Sequence, residues 1–157
     1  MPHEPTEVEA VQAIVARVAH HIDAKAWTDL RALYADRVTV DYRSLFGGEV
    51  EERDAGALVE SWRAVLATVS TQHLLGPIDA TIDGDRASAR CHVRAWHCAG
   101  GLPGGHEWVV AGHYSFGLRR IDGRWAIDAM RLDTFHQSGN LTLLADVAAA
   151  RAKAGAG

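Results

Sequence analysis

The sequence predicts an α+β fold, and three observations carry that prediction. Apolar residues recur at helical spacing early in the chain, at Val8, Val11, Val15, Val18 and Ile22, and again at Leu58, Trp62, Val65, Leu66 and Val69. From about His73 onward the period changes to two, the alternation of half-buried strands. Two Asp-Gly pairs, Asp83-Gly84 and Asp122-Gly123, separate alternating segments and mark tight hairpins. Helices followed by a meandering, mostly antiparallel sheet is the α+β order. The length of 157 residues suits a single domain over residues 1–157. With 48% hydrophobic and 23% charged residues, a packed core is expected and disorder is not.

Thr6-Glu7-Val8-Glu9 carries a capping-box pattern and starts the first helix, with Thr6 as cap and Glu9 reaching back. Ala24-Lys25-Ala26 breaks that helix. A second, short helix is expected to present Trp27, Leu30 and Tyr34 on one face and to end at Asp36-Arg37. Val38, Val40 and Tyr42 alternate with Thr39 and Asp41 as a strand, and Gly47-Gly48 marks a loop. Asp54 is placed to cap the third helix. His73 to about Ile82 reads as one strand, with Pro77 marking a bulge or an edge position. Asp85 to about Cys98 is a long strand. One face carries Ala87, Ala89, Cys91, Val93, Ala95 and His97; the other carries Ser88, Arg90, His92, Arg94 and Trp96. The glycine-rich stretch from Gly100 to Gly105 is a flexible connection. Glu107 to Ile121 sets Trp108, Val110, Gly112, Tyr114, Phe116 and Leu118 on one side, and Arg124 to about Thr134 is the last strand. Asn140 is expected to cap a C-terminal helix rich in Leu and Ala. The ordered core is expected over about residues 6–150, and residues 152–157 should fray. A strongly curved sheet with helices across its mouth leaves an apolar pocket between the layers.

The net charge of −4 argues against a protein built to grip nucleic acid or an anionic membrane surface. No stretch approaches the roughly 18 consecutive apolar residues of a membrane span. The first residues lack the basic-then-apolar pattern of a signal peptide. Cys91 and Cys98, on one extended strand, lie about 23 Å apart at about 3.3 Å per residue and face opposite sides, which excludes a disulfide between them. A cytoplasmic protein with free thiols is expected. Nine histidines raise the question of a metal. His92 and His97 are five apart on a strand and face opposite sides, and His20-His21 are neighbours on a helix. No HExxH, CxxC or tight two-His-one-carboxylate spacing occurs. No metal and no cofactor is expected. Gly100 to Gly105 also lacks the strand, helix and Lys-Ser/Thr of a phosphate loop.

Polar residues stranded on apolar faces are the candidates for chemistry. His97 stands on the Ala/Val face of its strand, where small neighbours leave either a ligand cavity or room for a closely packed helix. His73 stands between Gln72 and Leu74 at a strand start, as a base or as a core histidine bonded to a carbonyl. Asp23 ends the first apolar stripe beside Ile22, in a site or in solvent. Tyr42 shares the face of Val38 and Val40, its hydroxyl reaching a ligand or water. Together a carboxylate, two imidazoles and a phenol converging on one pocket can run acid–base chemistry near neutral pH.

These residues fall within stretches that resemble fungal scytalone dehydratases. Asp23-Ala24-Lys25-Ala26-Trp27, Leu30-Arg31 and Asp41-Tyr42-Arg43-Ser44 look like the opening of that family. Thr71-Gln72-His73, Val93-Arg94-Ala95-Trp96-His97 and Ile121-Asp122-Gly123-Arg124-Trp125 resemble its later motifs. The resemblance covers most of residues 15 to 135, and its Asp-Gly-x-Trp piece is common across the wider SnoaL-like, nuclear-transport-factor-2-like superfamily. It implies a cone-shaped α+β barrel whose N-terminal helices close an apolar pocket. It also implies that Asp23 holds His73, that His73 moves a proton from carbon to a leaving hydroxyl, and that Tyr42 polarises a carbonyl through a water. His97 would match a second pocket histidine that assists binding. Where the family has a second tyrosine just before the aspartate, this chain has Ile22. Counting back from Asp122-Gly123, two small polar pocket residues of the family become Gly112 and Tyr114, and Tyr114 is placed to supply the missing hydroxyl from the opposite wall.

The expectation is therefore a cofactor-independent lyase acting on a small apolar hydroxy-carbonyl compound. A SnoaL-like cyclase closing a ring by aldol addition, or an isomerase, would use the same proton abstraction. A non-catalytic ligand-binding or scaffold module of the same fold is the other alternative. Arg90, His92, Arg94 and Trp96 on one outward face, and the habit of related folds, imply a homo-oligomer, a dimer or trimer.

Overall fold

The capping box closes as its pattern implies. Thr6 Oγ1 accepts from the Glu9 amide at 3.2 Å, and Glu9 Oε2 accepts from the Thr6 amide at 2.7 Å. It starts α1 (Glu7–Asp23) in a computed structural model that describes residues 5–155. Val11, Val15, Val18, Ala19 and Ile22 are buried along one stripe of α1, whereas Val8, one turn earlier, is exposed. The helix ends in a Schellman arrangement, with the Ala26 amide donating to the His21 carbonyl and the Lys25 amide to the Ile22 carbonyl. Lys25 is left-handed there, at φ +58°. For a residue with a Cβ that conformation costs about 1–2 kcal/mol.

After α2 (Trp27–Arg31) the chain enters β1 (Tyr34–Asp41) earlier than its residues suggest. Tyr34, Asp36 and Arg37 belong to this strand and not to a helix. The Ile127 amide donates to the Leu33 carbonyl at 2.9 Å, and Arg37 pairs opposite Asp54, so sheet partners on two sides outbid one more helical turn. Tyr42 lies just past the strand, before the single turn α3 (Arg43–Phe46). That turn and β2 (Glu51–Asp54) are too short to leave a periodic signal. Asp54 Oδ1 accepts from the Ala57 amide at 2.9 Å and starts α4 (Ala55–Leu66); Val69 is buried but lies beyond the helix.

The segment expected to be one strand is two, β3 (Ser70–Leu75) and β4 (Asp79–Asp83), both antiparallel to β5 (Arg86–Cys98). Gly76-Pro77-Ile78 interrupts them, and Pro77 has no amide to give a ladder. β5, β6 (Glu107–Ile121) and β7 (Arg124–Gly139) form the central meander. Asp122 and Gly123, both at positive φ, make the turn between the last two. The sheet order is β2-β1-β7-β6-β5-β3, with β4 also on β5; every neighbouring pair is antiparallel except β1 with β7. β7 runs past Thr134 to Gly139, and α5 (Leu143–Ala154) extends into the stretch expected to fray. Ala156 and Gly157 lie outside the described residues. Thr142, not Asn140, occupies the cap position of α5. Asn140 instead donates to the Gly105 carbonyl and to Asp146 Oδ2, both at 2.9 Å, tying the glycine-rich connection to the C-terminal helix.

The sheet curves, and α1 and α4 cover its inner face. Val11, Val15, Leu30, Leu118, Ile127 and Leu143 are fully buried there. A side chain so placed contributes roughly 1.5–3 kcal/mol. Bulges between Ala111 and Gly112 and between Gly117 and Leu118 break the register of β6 with β7. At Gly112 the neighbouring backbone passes so close that a Cβ would collide with the Asp133 carbonyl oxygen. Cys91 and Cys98 are free thiols. Among the described residues no helix is long and apolar enough to cross a membrane. Gly112→Ala is expected to destabilise the fold by about 3 kcal/mol, at the severe end of overpacking because the clash is with backbone. The urea midpoint checks it.

Candidate active site

β3 places alternate side chains inward, so Thr71 and His73 face the end of α1. There Asp23, the last residue of α1, receives three bonds from that one strand. His73 Nδ1 donates to Oδ1 at 2.7 Å, the His73 amide to Oδ2 at 2.8 Å, and the Thr71 hydroxyl to Oδ1 at 2.9 Å. The carboxylate can only accept, which fixes the proton of neutral His73 on Nδ1 and leaves Nε2 free of that contact. A carboxylate in the last turn of a helix opposes the helix dipole. Burial pushes the Asp23 carboxyl up, but the bonds from the His73 ring, the His73 amide and Thr71 outweigh it and hold the group below its ordinary value.

His73 faces a cavity of about 120 Å³ whose walls are mostly apolar. Asp23 does not line it but stands behind the imidazole. The His73 side chain is 6% exposed and that of Asp23 25%. His97 stands beside His73 on the cavity wall, ring centroids 5.8 Å apart, and against the Trp108 ring at 4.6 Å. Its Nδ1 donates to the Trp108 carbonyl at 3.3 Å, so Nε2 carries the lone pair. Burial, then the neighbouring His73 and Lys25, push His97 down to about 4, against the opposing Trp108 carbonyl and Asp23 charge. His97 is neutral at pH 7.

Tyr42, Tyr114 and Ile22 also line the cavity. The Tyr42 hydroxyl donates to Met130 Sδ at 3.5 Å, and Tyr34 to the same sulfur at 3.7 Å. A thioether is a weak acceptor, so a carbonyl oxygen competes well for the Tyr42 proton. Burial, with the neighbouring tyrosine Tyr114, raises the Tyr42 phenol well above its ordinary value; burial also raises Tyr114. Both remain hydroxyl donors. Of the expected site residues, Asp23 and Gly112 do not line the cavity: Asp23 stands behind His73, and Gly112 is pressed against the Asp133–Thr134 backbone of β7. Sequence reasoning missed Trp62, Leu45, Phe46 and Leu144, which close the wall from α3, α4 and α5, and missed Met130 as the acceptor for Tyr42. A second hollow of about 500 Å³ shares Tyr42, Phe46, Trp62, Val65 and Leu144 with the first. Among the described residues no group of three or more His, Cys, Asp or Glu is arranged to hold a metal ion.

Comparison with known proteins agrees with this architecture. The profile of the SnoaL-like domain matches residues 4–131. The Kfla4162 protein of Kribbella flavida is similar in structure, with 29% identity, a TM-score of 0.79, and coverage of 87% of this chain and 95% of that one. A provisionally named scytalone dehydratase of Novosphingobium aromaticivorans superposes with a TM-score of 0.73 at 18% identity, over 85% of this chain and 87% of that one. A hexachlorocyclohexane dehydrochlorinase, LinA type 2, superposes with a TM-score of 0.68 at 16% identity, over 83% and 86%. No curated protein matches the chain.

His97 generates a pH prediction. Its folded value lies below the unfolded one, so from about pH 6.5 down to about 4 the unfolded chain takes up a proton that the folded chain refuses. Stability is therefore expected to fall across that window by about 3 kcal/mol, at about 1.4 kcal/mol per unit. Asp23 adds its own loss at lower pH, below the unfolded carboxyl value, as pH falls through its depressed folded value. Urea midpoints measured from pH 7 to pH 4.5 should show the decline, and His97→Gln should flatten it.

Proposed function

The chain belongs to the SnoaL-like domain family, and within it we propose a cofactor-independent lyase that removes water from a small, mostly apolar hydroxy-carbonyl compound. The observation behind this reading is the 2.7 Å contact of His73 Nδ1 with Asp23, on the wall of an apolar cavity. In the proposed reaction His73 Nε2 takes a proton from the carbon next to the carbonyl. The C–H electron pair moves into an enolate, and the Tyr42 hydroxyl donates to its oxygen. One such donor supplies about 3 kcal/mol. The imidazolium then returns its proton to the β-hydroxyl, which leaves as water while the electron pair forms the C=C bond. Base, acid and water balance, and His73 ends neutral. Asp23 offsets the charge that the ring carries in between and keeps it aimed. Neutral His97 accepts a hydrogen bond from a substrate hydroxyl through Nε2, and Tyr114 supports binding from the neighbouring strand β6.

Proton abstraction is tested before the natural substrate is known. The full chain, in deuterated water with a cyclic ketone such as 2-tetralone, is expected to speed exchange at the α-carbon, followed by proton NMR. β-Hydroxy ketones of similar size are then screened for water loss; a product that keeps its oxygen and closes a ring would indicate the aldol alternative. His73→Ala and Asp23→Asn are each expected to slow exchange by about 10²-fold or more, and Tyr42→Phe by about tenfold. Wild-type exchange rates in His73→Ala, or no acceleration by the wild type on any ketone tried, would overturn the proposal in favour of a binding module.

A further inference from the structure

We propose that Lys25 and Thr71 are positioning residues that hold the Asp23 carboxylate in register with His73. Two independent features lead there. The first is the backbone. Lys25 occupies the left-handed position that closes α1, where glycine is the usual residue. Among the described residues the other non-glycine at positive φ is Asp122, which sits in an Asp-Gly hairpin turn where such residues are at home. Lysine has no such local advantage. A strained position filled by a residue that the turn does not favour points to a use for its side chain.

The second feature is where that side chain goes. Lys25 Nζ turns back over the helix end and donates to Thr71 Oγ1 at 2.9 Å, lying 6.0 Å from the centre of the Trp27 ring. Burial lowers the Lys25 ammonium below its ordinary value, opposed by the Asp23 charge. Thr71 has one hydroxyl proton, and it goes to Asp23 Oδ1 at 2.9 Å. With the lone pair engaged by Lys25, the direction of the chain is set: Lys25 to Thr71 to Asp23, with His73 donating to the same oxygen from the other side. Thr71 is β-branched and stiff at χ1, and it shares the face of His73 two residues later. Lys25 also brings a positive charge to a helix end whose dipole disfavours the carboxylate. The same charge bears on His97, which faces His73, Asp23, Lys25 and the Trp108 carbonyl. Lys25 thus serves both histidines, through a bond relay to one and through its field to the other.

This inference rests on reading Asp23 and His73 as the acid–base pair, but its test reads position and not turnover. The full chain is labelled with ¹⁵N and observed by NMR. The readouts are the deshielded Nδ1 proton of His73 and the titration midpoint of His97, which starts at about 4. Lys25→Met and Thr71→Val are expected to broaden or abolish the His73 signal, while Lys25→Arg and Thr71→Ser retain it. Lys25→Met should also move the His97 midpoint upward, because a nearby cation is gone. Lys25→Gly separates the two roles. Glycine relieves the backbone, so the melting temperature should hold or rise while the His73 signal is lost. An unchanged signal and midpoint in both Lys25→Gly and Lys25→Met would overturn the proposal and leave Lys25 a turn residue. If Lys25→Gly does not fold, the Lys25→Met result decides alone. A wild type that exchanges no ketone protons, with variants that still show these shifts, would remove the proposed function and keep the positioning role.

Discussion

Three hydrogen bonds onto one carboxylate join the end of α1 to β3, and the rest of the site depends on that junction. Asp23 is the last residue of its helix, and β3 is the strand that presents His73 to the cavity. Two of the bonds come from His73 itself, one from its ring and one from its backbone. Ring orientation is therefore fixed at two points of one residue, which a lone side-chain contact cannot do. An unpaired half-buried carboxylate would be costly here, as the helix dipole already opposes it. The same bonds that aim the imidazole keep the helix end docked, so site geometry and local stability rise and fall together.

The cavity follows from how the sheet is bent. Two bulges between β6 and β7, with Phe135 and Asp128 as the extra residues on β7, raise the local twist of the meander, and Gly112 permits a backbone approach that any side chain would block. On the inner face Val93 and Ala95 are small, and β5 brings them opposite the bent part of β6. Larger residues there would fill the space that the helices span. The two readings of an Ala/Val face, cavity or tight helix packing, thus both hold on one strand. Val93, Ala95 and His97 border the hollow, while Ala87 and Ala89 belong to the packed core.

Much of this was legible in the sequence because the signals were periodic and long. The stripe of α1, the alternation of β5 and β6, and the Asp-Gly turns each repeat a local rule over many residues. Asp23, His73, Tyr42 and His97 stood out as polar residues on apolar faces. The illegible parts depend on partners far along the chain. Tyr34 is a strand residue because β7 lies beside it, and nothing near Tyr34 encodes that. β2 and the turn of α3 are too short for a period. Gly112 is placed in the pocket by counting back from Asp122-Gly123 along the family resemblance, but its role is steric and set by the Asp133 backbone. Lys25 and Thr71 stood inside the family-like motifs, yet Lys25 read as part of a break, since φ is not written in a residue's name. A lysine at a helix stop where glycine is usual was the available clue.

The two cavity histidines show how partner choice makes one residue type do two jobs. His73 gives its Nδ1 proton to a carboxylate, and His97 gives its own to a backbone carbonyl. A carboxylate offers full charge to a ring that gains a proton; a carbonyl offers only a dipole, and burial then keeps His97 neutral. Both rings line the cavity, 5.8 Å apart, and Nδ1 of each is committed to the protein. The carboxylate partner fixes the ring orientation of His73, and the carbonyl partner leaves His97 a neutral hydrogen-bond acceptor. Tyr42 and Tyr114 on the same lining stay protonated. One apolar cavity thus carries both a neutral imidazole acceptor and phenol donors, each with its proton fixed by burial or by a protein partner.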